Sequence, residues 1–332
     1  MRSTAILFLL LTSLNGCRSF KPSADLNNFK TYFVADNKKT VLQAEQVRVT
    51  FFGTSTLLFD DGETQLLVDG FFSRPSSFKV VFGKVSSDKE IIESVISDYH
   101  VNRLKGIFVC HSHYDHAMDA PEVSKLTGAK VYGSSSTLNI CTGENLADTS
   151  MQLFEVGKEI NLGKFSITAL HSKHTPPFHL FGKTNATDPN HPNIISPLKQ
   201  PAKVEDYIEG GTYDFYIQHG EHKMLVKAST NYIEGALKDY PADVFFLGCA
   251  MLGVQSDTFQ NNYYKNTVQA TGAKTIIPLH WDNFTKPLST PLEALPNLTD
   301  NVDSGFRFLL RKTQADKIDL KLMQGGASKL LF

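Results

Sequence analysis

The run Cys110-His111-Ser112-His113-Tyr114-Asp115-His116 puts three histidines and one aspartate within six residues. It directly follows the apolar stretch 107–110, which reads as a strand buried on both faces. Ionisable groups at the end of a buried strand are costly unless they are used. Side chains alternate along a strand end, so His111 and His113 point the same way and can grip one ion. Asp115 and His116 fall on the turn into the next helix, where they can grip a second ion beside the first. Zn²⁺ takes these ligand types, imidazole nitrogen at roughly 2.0–2.1 Å and carboxylate oxygen at roughly 2.0–2.2 Å. The competing reading, a polar turn with solvated histidines, does not account for this density.

The elements around the run must hold it in place. Residues 47–52, 55–59 and 65–68 are short β-rich runs, parted by Gly53 and by the turn Asp60-Asp61-Gly62. Over 88–104, Ile91, Ile92, Val95, Ile96, Tyr99 and Leu104 recur at helical spacing. Asp119-Ala120-Pro121-Glu122 has the form of a capping box, with Gly128 ending that helix. Further strands are expected at 165–170, 213–218, 223–227, 243–247 and 275–279, and a helix over 257–271 stopped by Gly272. Meandering strands followed by strands that alternate with helices imply a layered α/β fold, helices outside two packed sheets. Between 175 and 212 stand Pro176, Pro177, Pro189, Pro192, Pro197 and Pro201, a long irregular segment of the kind that is either functional or disordered.

The spacing His111-x-His113-x-Asp115-His116 resembles the H-x-H-x-D-H signature of the metallo-β-lactamase superfamily, and the likeness runs from about Val47 to the C-terminus. It implies an αββα sandwich with metal ions at the edge between two sheets. It also implies a third ligand histidine, which His174 in Ser172-Lys173-His174 fits with His171 as the rival, and a last one, His280, in Leu279-His280-Trp281-Asp282. Asp69 matches a buried aspartate that orients a ligand histidine; otherwise it is a turn-former before Gly70. One position departs from the family. Where a bridging aspartate is usual, Lys227-Ala228-Ser229-Thr230 offers Ser229. Either the site is dinuclear without a bridge, with His111, His113 and His174 on one ion and Asp115, His116 and His280 on the other, or the second site is weak or empty.

The likeness implies a hydrolase in which a metal-activated hydroxide attacks a carbonyl or phosphorus centre. The surrounding patterns are most similar to the branch of ascorbate-6-phosphate lactonases and N-acyl phosphatidylethanolamine phospholipases D, so ester, lactone, amide and phosphodiester bonds all stay open. Asp115 is expected to be catalytic at the ions. Asp282, His179 and His191 are candidate donors to the leaving group. Phe71, Phe72, Arg74 and Phe178 are candidates for the substrate wall, against a core role for the aromatics and a loop brace for Arg74. The alternatives are an iron-dependent redox enzyme of the same superfamily, for which the site is poor in carboxylates, and a non-catalytic metal-binding protein.

Partners and location follow from composition. A formal net charge of −1, with no long Lys/Arg run, argues against nucleic acid and for a small-molecule or lipid-like substrate. Arg2 precedes an apolar run at 5–11, too short to span a bilayer. Leu14-Asn15-Gly16-Cys17 then resembles a bacterial lipoprotein cleavage box, which implies lipidation of Cys17 and a membrane anchor facing the periplasm or cell exterior. The expected organisation is a signal peptide over 1–16, a polar tether over 17–45 and the hydrolase domain over 46–332. Cys110, Cys141 and Cys249 remain and form no disulfide framework; buried free thiols are the default reading, with Cys249 as a metal ligand the lesser one.

Overall fold

The central strands are apolar on both faces, and this decides the layers. In the computed structural model, which describes residues 19–176, 179–180, 183–184 and 193–332, one sheet contains β1 (Arg48–Phe51), β2 (Leu57–Asp60), β3 (Gln65–Val68), β4 (Leu104–Phe108), β5 (Lys130–Gly133) and β6 (Met151–Leu153). The other contains β7 (Glu159–Leu162) and β8 (Phe165–His171). A small separate pair, β9 (His179–Leu180) and β10 (Lys183–Thr184), follows. The second sheet then resumes with β11 (Tyr213–His219), β12 (His222–Lys227), β13 (Val244–Gly248), β14 (Thr275–Leu279) and β15 (Asp319–Leu320). The final strand, β16 (Ser328–Leu330), returns to the first sheet beside β1. The strand orders are β16-β1-β2-β3-β4-β5-β6 and β15-β14-β13-β12-β11-β8-β7. Each sheet is antiparallel on one side and parallel on the other, the switch falling at β3 and at β12.

Leu57, Phe59, Leu66, Val68 and Phe108 point into the core shared with the second sheet. Their neighbours Leu58, Leu67, Ile107 and Val109 point the other way, onto the helices Lys89–Asp98, Ala120–Thr127 and Ser135–Gly143. Both faces of these strands are therefore buried, as the apolar run before His111 required. The result is the expected αββα sandwich. The metal-ligand candidates follow β4, β8 and β14, at one end of it.

Two expectations change. Residues 19–37 are not a free tether. Phe29 on the 3-10 helix Leu26–Tyr32 is buried edge-on against Phe306, with ring centroids 5.2 Å apart. The Ser23 hydroxyl donates to the Leu295 carbonyl at 2.6 Å, and Asn37 N–H donates to the Ser328 carbonyl at 2.7 Å. Nor does Asp119 cap its helix. Its carboxylate instead accepts from Phe72 N–H (2.8 Å), Ser73 N–H (2.7 Å) and the Ser73 hydroxyl (2.8 Å), so it suspends the loop after β3. Gly128 does end the helix, in the left-handed conformation at φ 75°. The helix expected over 257–271 is Asp257–Tyr264 prolonged by a π-turn over Lys265–Gln269. Among the described residues, no helix is long and apolar enough to cross a membrane.

Candidate metal centre

β4 ends at Phe108, and three residues later the chain delivers His111 and His113 to the same side, with Ser112 between them turned away onto Thr137 Oγ1 at 2.9 Å. The short helix Tyr114–Ala117 then brings in Asp115 and His116. His174 arrives from the loop after β8 and His280 from the end of β14. These residues assemble as two groups, His111/His113/His174 and Asp115/His116/His280. Within each group the potential ligand atoms lie within 4.8 Å of one another. The groups adjoin, since the His111 and His116 rings are 3.9 Å apart. Asp115 Oδ2 lies 3.5 Å from His116 Nε2 and 3.3 Å from His280 Nε2. Residues from three separate stretches of chain thus converge as two triads of the kind a pair of cations needs.

The donors suit a metal. Burial, then the neighbouring His116 and His174, holds the His111 imidazole well below its usual range. Burial likewise lowers His113 to about 4 and depresses His174. Neutral rings offer lone pairs. For His116, burial acts downward, but Asp115 and Asp69 outweigh it and the ring's pKa rises. For Asp115, burial acts upward, but His116 and His280 outweigh it and hold the carboxyl below its usual range. Both His111 nitrogens, His116 Nε2 and His280 Nδ1 are buried without a hydrogen-bond partner. Each unmet buried polar atom costs about 1–3 kcal/mol, and a cation held by one ring nitrogen of each histidine would offset part of that cost. The residues fit the group that the fold implies.

The aim of each ring is set from behind. His116 Nδ1–H donates to Asp69 Oδ2 at 2.8 Å, with the Ser55 hydroxyl bonded to the same oxygen at 2.5 Å, so Nε2 faces the site. Asp69 Oδ1 accepts from Cys110 N–H at 2.7 Å and ties the aspartate to the strand that carries the histidines. Asp69 is fully buried in the left-handed region at φ 58°, so it is a positioning residue as well as a turn-former. We expect Asp69→Asn to weaken metal binding by about 10–100-fold. An amide NH₂ at Oδ2 would confront the His116 Nδ1–H, and competition with a chelator measures the loss. Unchanged affinity would show that Asp69 does not set the ring. His174 Nδ1–H donates to the Thr175 carbonyl at 3.0 Å, which leaves Nε2 free. Asn231 Nδ2–H donates to the His174 carbonyl at 2.7 Å, and Thr230 N–H to Thr175 Oγ1 at 3.0 Å. The segment with Ser229 in place of the bridging aspartate therefore braces the His174 loop, and Ser229 itself is buried. His171 lies on the other side: it is exposed, beside the Tyr213 ring.

Several expected site residues serve other purposes. Asp282 is fully buried, ion-paired with Arg74, and accepts from Thr54 N–H at 2.6 Å. The Thr54 carbonyl in turn accepts from His280 N–H at 2.7 Å. Asp282 thus holds the loop beneath His280 and is not presented to a substrate as an acid. Arg74 is the brace and not an anion receptor. Its guanidinium leaves no room at Gly53, where a Cβ would lie 2.8 Å from Arg74 Nη1 and 2.6 Å from Asp282 Oδ2. Phe71 and Phe72 are core: Phe71 is 1% exposed and packs edge-on to Tyr114, and Phe72 packs edge-on to Phe52. Phe71→Ala should therefore cost about 3–5 kcal/mol of stability, read from the denaturant midpoint. A loss below about 1 kcal/mol would contradict the packing. Phe178 and His191, and the side chain of His179, lie outside the described residues. Cys110, Cys141 and Cys249 are free and buried, and the Cys249 thiol donates to the Leu279 carbonyl. Sequence reasoning missed Phe284, a partly buried ring edge-on to His280 at 5.3 Å, and Ser55, whose small-polar surroundings carry no signal.

This sandwich, with its ligands gathered at one end, is of the metallo-β-lactamase type. Residues 49–196 match the model of the Metallo-beta-lactamase superfamily. A UPF0173 metal-dependent hydrolase of Heliobacterium modesticaldum is 33% identical over 95 residues, 29% of this chain and 33% of that protein. Another UPF0173 metal-dependent hydrolase, from Staphylococcus aureus, is 23% identical over 243 residues, covering 72% of this chain and 87% of the relative. The match to the first relative thus spans only a third of that protein's length. Among solved structures, Igni18, a metallo hydrolase from Ignicoccus hospitalis, superposes with a TM-score of 0.54 at 15% identity, over 86% of this chain and 98% of its own.

Proposed function

We propose that this chain is a metal-dependent hydrolase whose two ligand groups hold two divalent cations. In this reading His111, His113 and His174 hold one ion, and Asp115, His116 and His280 the other. The observation that carries it is the convergence of these two triads, with the His111 ring and His116 Nε2 buried and unpartnered within them. The cations would supply Lewis acidity towards a carbonyl or phosphoryl oxygen and would acidify water. Five imidazoles and one carboxylate suit zinc better than the carboxylate-rich sites of iron enzymes.

The chain's own residues supply the rest. His113, His174 and His280 are only partly buried, so a substrate reaches the site from their side. Phe284 borders that side and offers an apolar face to an acyl or aryl substituent. The bond cleaved falls within the ester, lactone, amide and phosphodiester group. Export and lipid attachment at Cys17 are part of the same reading. Cys17 lies outside the described residues, and its support is the sequence before it. The test is purified protein assayed for metal content and against a panel of those four bond types. Hydrolysis that a chelator abolishes and zinc restores supports the reading. Tightly bound metal with no bond in the panel cleaved would make this a non-catalytic metal protein, and restoration by iron alone would favour redox chemistry.

A further inference from the structure

The helix Ser77–Phe82 turns its apolar side outward. Phe78 is 71% exposed, Val81 53% and Phe82 77%, and the two phenylalanine rings lie 5.6 Å apart. Positions i, i+3 and i+4 share one face of a helix, so the three side chains form a single patch, while Val80 packs back against the core. Soluble surfaces rarely expose contiguous large apolar side chains without a use. Within residues 75–87 the chain carries Lys79 and Lys84 and no acidic residue; Asp88 and Glu90 line the neighbouring surface pocket together with Lys79 and Lys89.

The patch lies at the end of the sandwich that carries the metal-ligand candidates. Arg74, ion-paired with Asp282 beneath His280, stands only three residues before Ser77, within about 11 Å of extended chain. The N-terminal stretch reaches the same end. Ser19 accepts from Leu298 N–H at 2.8 Å, and Leu295, three residues earlier, donates its N–H to the carbonyl of Trp281, which follows His280. Because residues 19–37 are packed onto the domain, Cys17 stands only two residues before this docked stretch. A lipid on that cysteine would hold this end against a bilayer with almost no spacer.

We propose that Ser77–Phe82 is a membrane-docking helix, which seats Phe78, Val81 and Phe82 among the acyl chains of an anionic bilayer and holds Lys79 and Lys84 at the headgroups. Amphipathic segments with aromatic and basic residues bind membrane interfaces in this way. Docking would bring the end of the domain that carries the metal-ligand candidates close to the lipid surface, which makes an amphiphile resident in the membrane the substrate class. That last step rests on the hydrolase reading; the docking itself does not.

The full chain carrying Cys17→Ser, which removes any lipid attachment, is mixed with phosphatidylcholine vesicles with and without phosphatidylglycerol. Trp281, the sole tryptophan, is fully buried, so Phe82→Trp adds a reporter on the patch that brominated lipids can quench. We expect quenching of that reporter, at least a tenfold loss of partitioning (about 1.4 kcal/mol) in Phe78→Ala/Phe82→Ala, and about a fivefold loss on anionic vesicles for each of Lys79→Gln and Lys84→Gln. Vesicle-bound protein with an unquenched reporter would mean that residues 1–18 alone hold the membrane, and would overturn the proposal. Absence of binding would overturn it too. So would a reporter already shielded without vesicles, by a second copy if the effect depends on concentration or by the chain's own N-terminal residues if it does not. None of these readouts needs metal or turnover, so failure of the docking and failure of the hydrolase reading are told apart.

Discussion

Replacing His111 and His113 together by alanine should remove at least one equivalent of divalent metal per chain and lower kcat/KM by more than about 10³-fold, a loss of several kcal/mol of transition-state stabilisation. The effect is large because the two side chains supply two of the three donors in one group. One remaining imidazole on a loop cannot keep an ion that needs three. The fold should survive. His111 is buried with both nitrogens unpartnered, so removing it from the metal-free chain takes away an unmet polar group and leaves a small cavity. Metal analysis and circular dichroism on the same preparation check both halves. A folded double variant that retains all its metal would show that the ions sit elsewhere.

What was legible in the sequence was what a single short stretch can encode. The density of ligand types over 111–116 marked the site, and the short apolar β-rich runs marked the strands that flank it. What escaped depended on partners far along the chain. Asp282 and Arg74 each look like groups that do chemistry when read alone. Their pairing across 208 positions, under the loop that holds His280, gives them a bracing role that no local pattern announces. Phe71 and Phe72 follow Asp69, so a position close to the ligand run was readable, and Phe71 packs against Tyr114. Which way they face was not, because that depends on Asp119 pulling the following loop inward. The same applies to the polar stretch before the domain. Phe29 packs against a helix at the other end of the chain, and the hydrogen bonds of Ser23 and Asn37 hold the stretch on either side of it. Ser229 is the converse case. The departure from the usual aspartate was plain in the sequence, but its structural consequence, a segment that braces the His174 loop, needed the hydrogen bonds of Thr230 and Asn231 to be seen.

The choice between His171 and His174 gives the second large expected effect, because only one of them can complete the first ligand group. Both close the same strand-to-loop segment, and alternation separates them: three positions apart, they leave the backbone in different directions. His171 is the last residue of β8 and pairs with Tyr213 of β11, with its ring exposed near that tyrosine. His174 lies beyond the strand, where its ring stands 4.8 Å from that of His111 and 4.7 Å from that of His113. Its Nδ1–H is engaged by the Thr175 carbonyl, which fixes the tautomer that presents Nε2 to an ion. His174→Ala should therefore cost the first ion and at least about 10³-fold in kcat/KM. His171→Ala, a change at an exposed ring outside both ligand groups, should leave metal content intact and alter stability by no more than about 0.5 kcal/mol. The more discriminating variant is Asn231→Ala. It leaves every ligand in place but releases the His174 carbonyl, so it should weaken metal binding by about 10–100-fold while the ion still binds at saturating concentration. A chelator titration of the three variants reads all of this at once. Metal loss in His171→Ala with full retention in His174→Ala would move the third ligand to the strand end and undo the first group as assigned.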